Sequence, residues 1–309
     1  MIIDAHAHIV DRDWYPEKWW SSIAKFSLQK SGNYNKMDLS AMSEGISSFL
    51  SDPSGEKLID AMDKANIDMT VICVLDYGLA LGEPKISIEE QNQIHGEIQK
   101  KYPKRILAYA SVDPRRPNAE KLIRKCFEEW NMRGLKFHPS TGFYPNSKEV
   151  YKLLEIANEF KKPVLFHTGH IIQPLRAKYC DPIYLDDVCV DFPDLMIQAA
   201  HMGFGWLHEL SRMGSTKMNL TVDFSGWQET ALNSYHEFCS SLRQCLDSFS
   251  PKRVLWGTDN PYLRGLLPDK DWIQIIKDLP SKAPEGLRFT QEEVDLMLGG
   301  NAKRIFGIE

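Results

Sequence analysis

The chain has 309 residues, of which 43% are hydrophobic and 26% charged, the balance of a globular protein with a large core. A formal net charge of −5, without any long basic run, argues against a nucleic-acid or anionic-membrane partner. No apolar stretch approaches the ~20 residues that cross a bilayer.

The chain opens with "MIIDAHAHI", an apolar run of strand character interrupted by two histidines. Asp4 and His6 break up what would be the apolar region of a signal peptide, so none is expected. Side chains alternate along a strand, so His6 and His8 point the same way. Such a pair can share one metal ion or can be two satisfied core histidines.

A long segment from about residue 11 to 54 follows, carrying Trp14, Tyr15, Trp19 and Trp20. It is expected over the carboxyl ends of the strands, with most of its aromatics packing the excursion down and the rest serving as a lid. Further apolar runs come in turn: "MTVICVLD", "RILAYASVD", "RGLKFHP", "KPVLFHTGH", "LMIQAAHMG", "MNLTVDFSG" and "RVLWGTDNPY". They are continuously apolar, as parallel strands covered on both faces should be. Helical patterns lie between several of them, such as "NAEKLIRKCFEEWN" and "SKEVYKLLEIANEFK", the second with Ser147 as its N-cap. The last stretch, "VDLMLGGNAKRIFGI", reads as a helix, a glycine break and a closing helix.

Eight strands in a chain of this length predict an α/β fold of the (β/α)8 TIM-barrel type, as one domain over 1–309 with an insertion at about 11–54. An open doubly wound sheet is the alternative, but no glycine-rich phosphate loop follows the first strand. Six cysteines scattered without a C-x-x-C pair suit a reducing, cytoplasmic setting.

Unusual polar residues recur at the strand ends. After His6 and His8 come Lys136 and His138 on the fourth strand, His167 on the fifth, His201 on the sixth and Asp259 on the eighth. Singly, His167 or His201 would be a hydrogen-bonded core histidine, and Asp259 before Asn260-Pro261 a turn cap. In a barrel, however, the carboxyl ends of different strands converge on one site. Together these residues therefore predict a metal centre.

The segments "DAHAHI", "LKFHP", "VLFHTG", "AAHMG", "WGTDNPY" and "GGNAKRIFG" resemble, in order and over nearly the whole chain, the amidohydrolase superfamily. Within it, the similarity is to the branch related to aminocarboxymuconate-semialdehyde decarboxylase. The resemblance implies that His6, His8, His167 and Asp259 bind a metal and that Asp259 also shuttles a proton. It implies that His201 binds a second metal or contacts substrate and water, so one or two ions per chain are expected. A nitrogen-rich set with one carboxylate suits Zn2+, with Mn2+ or Fe2+ as alternatives. The resemblance also implies a homodimer.

Lys136 divides the chemistry. A lysine in a similar context is carboxylated and bridges two metals in some relatives. The other roles open to it are a free ammonium holding a substrate carboxylate, or one half of an ion pair. Its presence tips the expectation to a hydrolase, in which a metal-activated water attacks a lactone, amide or related carbonyl of a small carboxylated molecule. The alternative is a metal-dependent decarboxylase in which Asp259 protonates the carbon that loses CO2. Arg176 and Arg264 are further candidate cations for the substrate. His138 and His170 are candidates for orienting the ligands or meeting substrate, and Arg115 and Arg116 for shaping a loop.

Overall fold

The computed structural model describes residues 1–30 and 38–308. Its centre is one eight-stranded sheet: β1 (Ile3–Ala7), β2 (Met69–Cys73), β3 (Ile106–Ala110), β4 (Gly134–Phe137), β5 (Val164–Phe166), β6 (Ile197–Ala199), β7 (Leu220–Asp223) and β8 (Val254–Leu255). The strands are parallel and pair in chain order. Every residue in them is buried, which is why the runs are continuously apolar. β1 and β8 close the ring through bonds that continue beyond β8. Ala5 N–H donates to Trp256 O (3.0 Å), Asp259 N–H to His6 O (2.8 Å) and His8 N–H to Asn260 O (2.6 Å). The fold is the expected (β/α)8 barrel.

Alternate residues build two cores. Met69, Val71, Leu107, Tyr109, Leu165 and Leu255 fill the barrel, while Ile72, Phe137, Phe166, Ile197 and Val222 pack against the helices outside. β1 breaks this alternation. Asp4 pairs with Thr70 and Ala7 with Ile72, so two residues of β1 oppose one of β2. This is a β-bulge, a device that re-aims side chains beside active sites. Ile3 and Ala5 join the barrel interior, and after the bulge His6 and His8 face the interior too. Asp4 is left at the β1/β8 seam, where it accepts from His6 N–H (3.1 Å), Thr258 N–H (3.0 Å) and Thr258 Oγ1 (2.6 Å).

The strands are shorter than the sequence predicts. His138, His167, His201 and Asp259 all lie past the last strand residue, because the chain bends there to turn into the loops. Ser147 stands at the N-cap of the helix Lys148–Glu159, but its side chain makes no capping bond. The glycine break near the end is also absent. Gln291–Asp295, a π-turn at Leu296–Gly300 and Asn301–Ile305 run on as one helix, with Gly300 at φ −57°. Gly299 is needed for another reason: a Cβ there would collide with the carbonyl of Met1. Within the π-turn, the Met297 carbonyl accepts from Trp256 N–H (3.0 Å). Ala302 and Phe306 then join the cluster of Ile3 and Tyr109 inside the barrel.

The excursion after β1 forms two helices, α1 (Glu17–Lys30) and α2 (Leu39–Leu50); residues 31–37 of the expected insertion lie outside the described residues. Trp14, Tyr15, Trp19 and Trp20 are buried. Trp19 packs on Tyr77 with ring centres 4.7 Å apart, and Tyr15 against Trp20 at 5.8 Å. Packing is thus the main role of these aromatics, and Trp19 also walls the cavity beneath.

Candidate metal centre

Residues from six strand ends meet at the barrel mouth. His6, at the close of β1, is fully buried and held at both ring nitrogens. Nδ1 lies 3.2 Å from Asp223 Oδ2, and Nε2 accepts from Lys136 Nζ (3.0 Å). His8 donates from Nδ1 to the carbonyl of Cys73 (2.9 Å), and its Nε2 faces Asp259 Oδ1 at 3.3 Å. His201 sets Nδ1 against Ser225 O (3.0 Å), leaving Nε2 free to accept. In all three, a partner on Nδ1 fixes the tautomer and turns the Nε2 lone pair inward.

Backbone strain holds two of these groups. His201 and Asp259 have φ of 61° and 55°, values that a non-glycine residue keeps only when its surroundings insist. For His201 the restraints are its N–H on Asp223 Oδ1 (3.1 Å) and its carbonyl accepting from Trp227 Nε1 (2.7 Å). Gly226, at φ 85°, lies where a Cβ would sit 3.3 Å from His201 Nδ1, so a larger residue would crowd the ring.

His6, His201 and Asp259 each offer a ligand atom within 4.8 Å of the others. His8 borders this set through Asp259. His167 borders it through Nδ1, 3.1 Å from His201 Nε2. The Nε2 of His167 is buried with no hydrogen-bond partner, an orphaned atom of the kind a cation or ligand satisfies. Burial, with Lys136 alongside, pushes the His6 imidazolium down to about 3. Burial and neighbouring histidines hold His167 well below its ordinary value. These rings are therefore neutral at pH 7, as ligands must be. Asp259 Oδ1 lies 3.3 Å from His8 Nε2 and 3.8 Å from His6 Nε2, a carboxylate oxygen and two imidazole nitrogens close enough to share one cation. One carboxylate among several imidazoles fits a divalent cation.

A profile of the family described as "Amidohydrolase" matches residues 3–308. The chain belongs to this amidohydrolase family. No curated protein matches the sequence. Among solved structures, 5-carboxyvanillate decarboxylase from Sphingomonas paucimobilis is similar at 18% identity and TM-score 0.66, over 100% of this chain and 99% of that one. Dihydroxybenzoic acid decarboxylase from Polaromonas sp. JS666, with bound manganese and the inhibitor 2-nitroresorcinol, is similar at 13% identity and TM-score 0.66, over 99% and 97%. A probable 2-pyrone-4,6-dicarboxylic acid hydrolase from Acinetobacter baumannii follows at 16% identity and TM-score 0.62, over 99% of both chains.

In this amidohydrolase the remaining expected residues lie at different depths. Lys136 is buried and has no carboxylate within ion-pair distance among the described residues; burial lowers its pKa. The third role open to it, an ion pair, is thus not formed. His138 stacks on His167, 4.1 Å apart and 11° from parallel, with Nδ1 2.6 Å from Ser140 Oγ. His170 is outside the site, exposed and stacked on Trp206. Arg176 is exposed at the start of a 3-10 turn. Arg264 faces Asp269 at 3.5 Å and lines a smaller cavity behind His8. Neither arginine lines the main cavity. Arg115 and Arg116 bind Asp113 and Asp76, and Arg115 also binds the carbonyls of Thr141 and Gly142, tying three loops together.

Sequence reasoning missed Asp223, which lies at the end of β7. Besides His6 and His201, it accepts from Gln198 Nε2 (2.7 Å) and Ser225 Oγ (2.6 Å). The signal was available in "LTVDFSG", a charged residue closing an apolar strand like the others. The Cys73 carbonyl that orients His8 is a backbone group, and no side-chain pattern announces it.

Proposed function

We propose that this amidohydrolase is a metal-dependent, non-oxidative decarboxylase of a carboxylic acid. The observation that carries this reading is the placing of Asp259 among the imidazoles of His6, His8, His167 and His201 at the foot of a cavity of about 520 Å³, with Lys136 the one lysine or arginine on the described wall. A substrate carboxylate entering there meets its polar partners at the floor. The similarity to two aromatic-acid decarboxylases supports the same chemistry.

The donor atoms for a divalent ion are the Nε2 atoms of His6 and His8 and a carboxylate oxygen of Asp259, with nitrogens of His167 and His201 alongside. Bound there, such an ion supplies fixed positive charge that orients and polarises the substrate; the manganese of the Polaromonas protein favours Mn2+ beside the expected Zn2+. An ion on His6 Nε2 would take the lone pair that Lys136 Nζ otherwise meets at 3.0 Å, leaving that amine turned to the same space. Asp223 keeps His6 and His201 in place. In the reaction R–COO⁻ and a proton give R–H and CO2. The carbon–carbon bond breaks, its electron pair stays on the carbon, and that carbon takes the proton from Asp259. Asp259 has to collect this proton first, since its resting state is the carboxylate.

The test is incubation of metal-loaded protein with a panel of aromatic acids in D2O. Loss of CO2 with one deuterium placed on the carbon is the expected result. Hydrolysis is the second reading, favoured by Lys136 and by the similarity to the Acinetobacter protein. Ring opening of 2-pyrone-4,6-dicarboxylate, with no CO2 from any acid, would put it first.

A further inference from the structure

The cavity above the donor set is far larger than one small acid requires. A cavity of about 150 Å³ lined by aliphatic and aromatic side chains holds a benzene molecule; this one measures about 520 Å³. Its upper wall is apolar, made of Ile23 and Phe26 from α1, Met42, Ile46 and Phe49 from α2, and Ile172 from the loop after β5. Phe26 and Phe49 stand at the mouth, 46% and 69% exposed. Side chains of this kind turned towards a cleft and water raise the free energy of the empty protein, and an apolar ligand relieves that cost.

The charges are confined to the floor. Among the described residues that line the cavity, Lys136 is the one lysine or arginine, and Asp259 the one carboxylate. A second carboxylate on the substrate, at the far end from the donor set, would meet Phe26, Met42 and Ile46. It would lose its hydration with no cation among the described residues of the wall to compensate.

We infer that the substrate is a monocarboxylic acid with an extended apolar body, of the size of a second ring or a medium alkyl chain, seated under α1 and α2. The inference rests on the carboxylic-acid reading of the site, and it narrows the expected "small, carboxylated molecule" to one acid group and a large apolar remainder. Polar dicarboxylates are disfavoured by the same wall. The α1–α2 excursion is then the specificity element, and the strand ends are the reaction element.

Binding to the metal-loaded protein tests this without any turnover. Benzoate, biphenyl-4-carboxylate and isophthalate are titrated by calorimetry, or by displacement of one another. Biphenyl-4-carboxylate is expected to bind at least tenfold more tightly than benzoate, and isophthalate no more tightly than benzoate. In the double variant Met42→Ser/Ile46→Ser the biphenyl advantage should fall at least threefold, with benzoate affinity unchanged. Isophthalate as the tightest ligand, equal binding of benzoate and biphenyl-4-carboxylate, or an unaltered ratio in the variant would each overturn the inference. These readouts are separate from CO2 release. A protein that shows the biphenyl preference and releases no CO2 keeps this cavity assignment and loses the decarboxylase reading.

Discussion

The imidazole of His6 has no freedom to choose its tautomer. Asp223 at Nδ1 takes the proton-bearing nitrogen, and Nε2 is left as the acceptor on the cavity side. Replacing the carboxylate by an amide, Asp223→Asn, keeps the shape but weakens the pull on that proton. Metal affinity should fall about 10- to 100-fold, measured by titration against a chelator, with the circular dichroism spectrum unchanged. Asp259→Asn removes the group that carries the proton, and turnover should drop at least ~100-fold while the protein still folds. Unchanged turnover would remove Asp259 from that role. At this scale the sequence was informative where a polar side chain interrupts an apolar run, as in "LFHTG" or "GTDNP". It was silent on Cys73, whose backbone does the work, and on which of His138, His167 and His170 lie deep. That order depends on loop geometry: the chain after β5 carries His170 out to Trp206.

Elements show the same division between pattern and geometry. Continuous apolar runs revealed the eight strands because both faces are covered, yet their ends were overdrawn. "RVLWGTDNPY" contributes only Val254 and Leu255 to the ladder. A left-handed aspartate at position 259 leaves no mark in hydrophobicity. The β1 bulge is equally hidden, since it is a pairing relation with β2. Gly299 serves close approach to Met1 and not a helix stop. Gly299→Val should therefore destabilise the protein by about 1–3 kcal/mol through overpacking against Met1, measured by denaturant unfolding. A second element, the helix Ile88–Lys101, carries buried His95 beneath Trp14. Burial pushes its pKa from 6.5 down to about 4. Below pH 6.5 the unfolded chain binds a proton there that the native state refuses, so stability falls as the pH drops from about 6.5 to about 4. His95→Gln should flatten that decline in urea unfolding at pH 7, 5.5 and 4.5. An unaltered slope would assign the acid sensitivity elsewhere.

For the molecule as a whole, the ion is both a reagent and a structural tie. The described residues offer one donor cluster, so elemental analysis of protein purified without chelator should give close to one divalent ion per chain. The intact mass should then lack an added CO2 on Lys136. Two ions with that added mass would restore the bridging lysine and the hydrolase. Removing the ion should lower the melting temperature, because a ligand that binds only the native state stabilises it by mass action.

The ring is shut between β1 and its shortest strand, β8. Asp4 and Thr258, 254 residues apart in the chain, are joined across the β1/β8 seam, and the donor atoms straddle the same line, His6 and His8 on one side and Asp259 on the other. Four backbone bonds cross this seam, from Ala5, His8, Thr258 and Asp259, and three of them lie at the donor residues His6, His8 and Asp259. An ion spanning it acts as a rivet, so amide exchange at Ala5, His8 and Asp259 should be slow in the loaded protein and quicken once the metal is stripped. Catalytic competence and closure of the barrel would then be lost through the same opening.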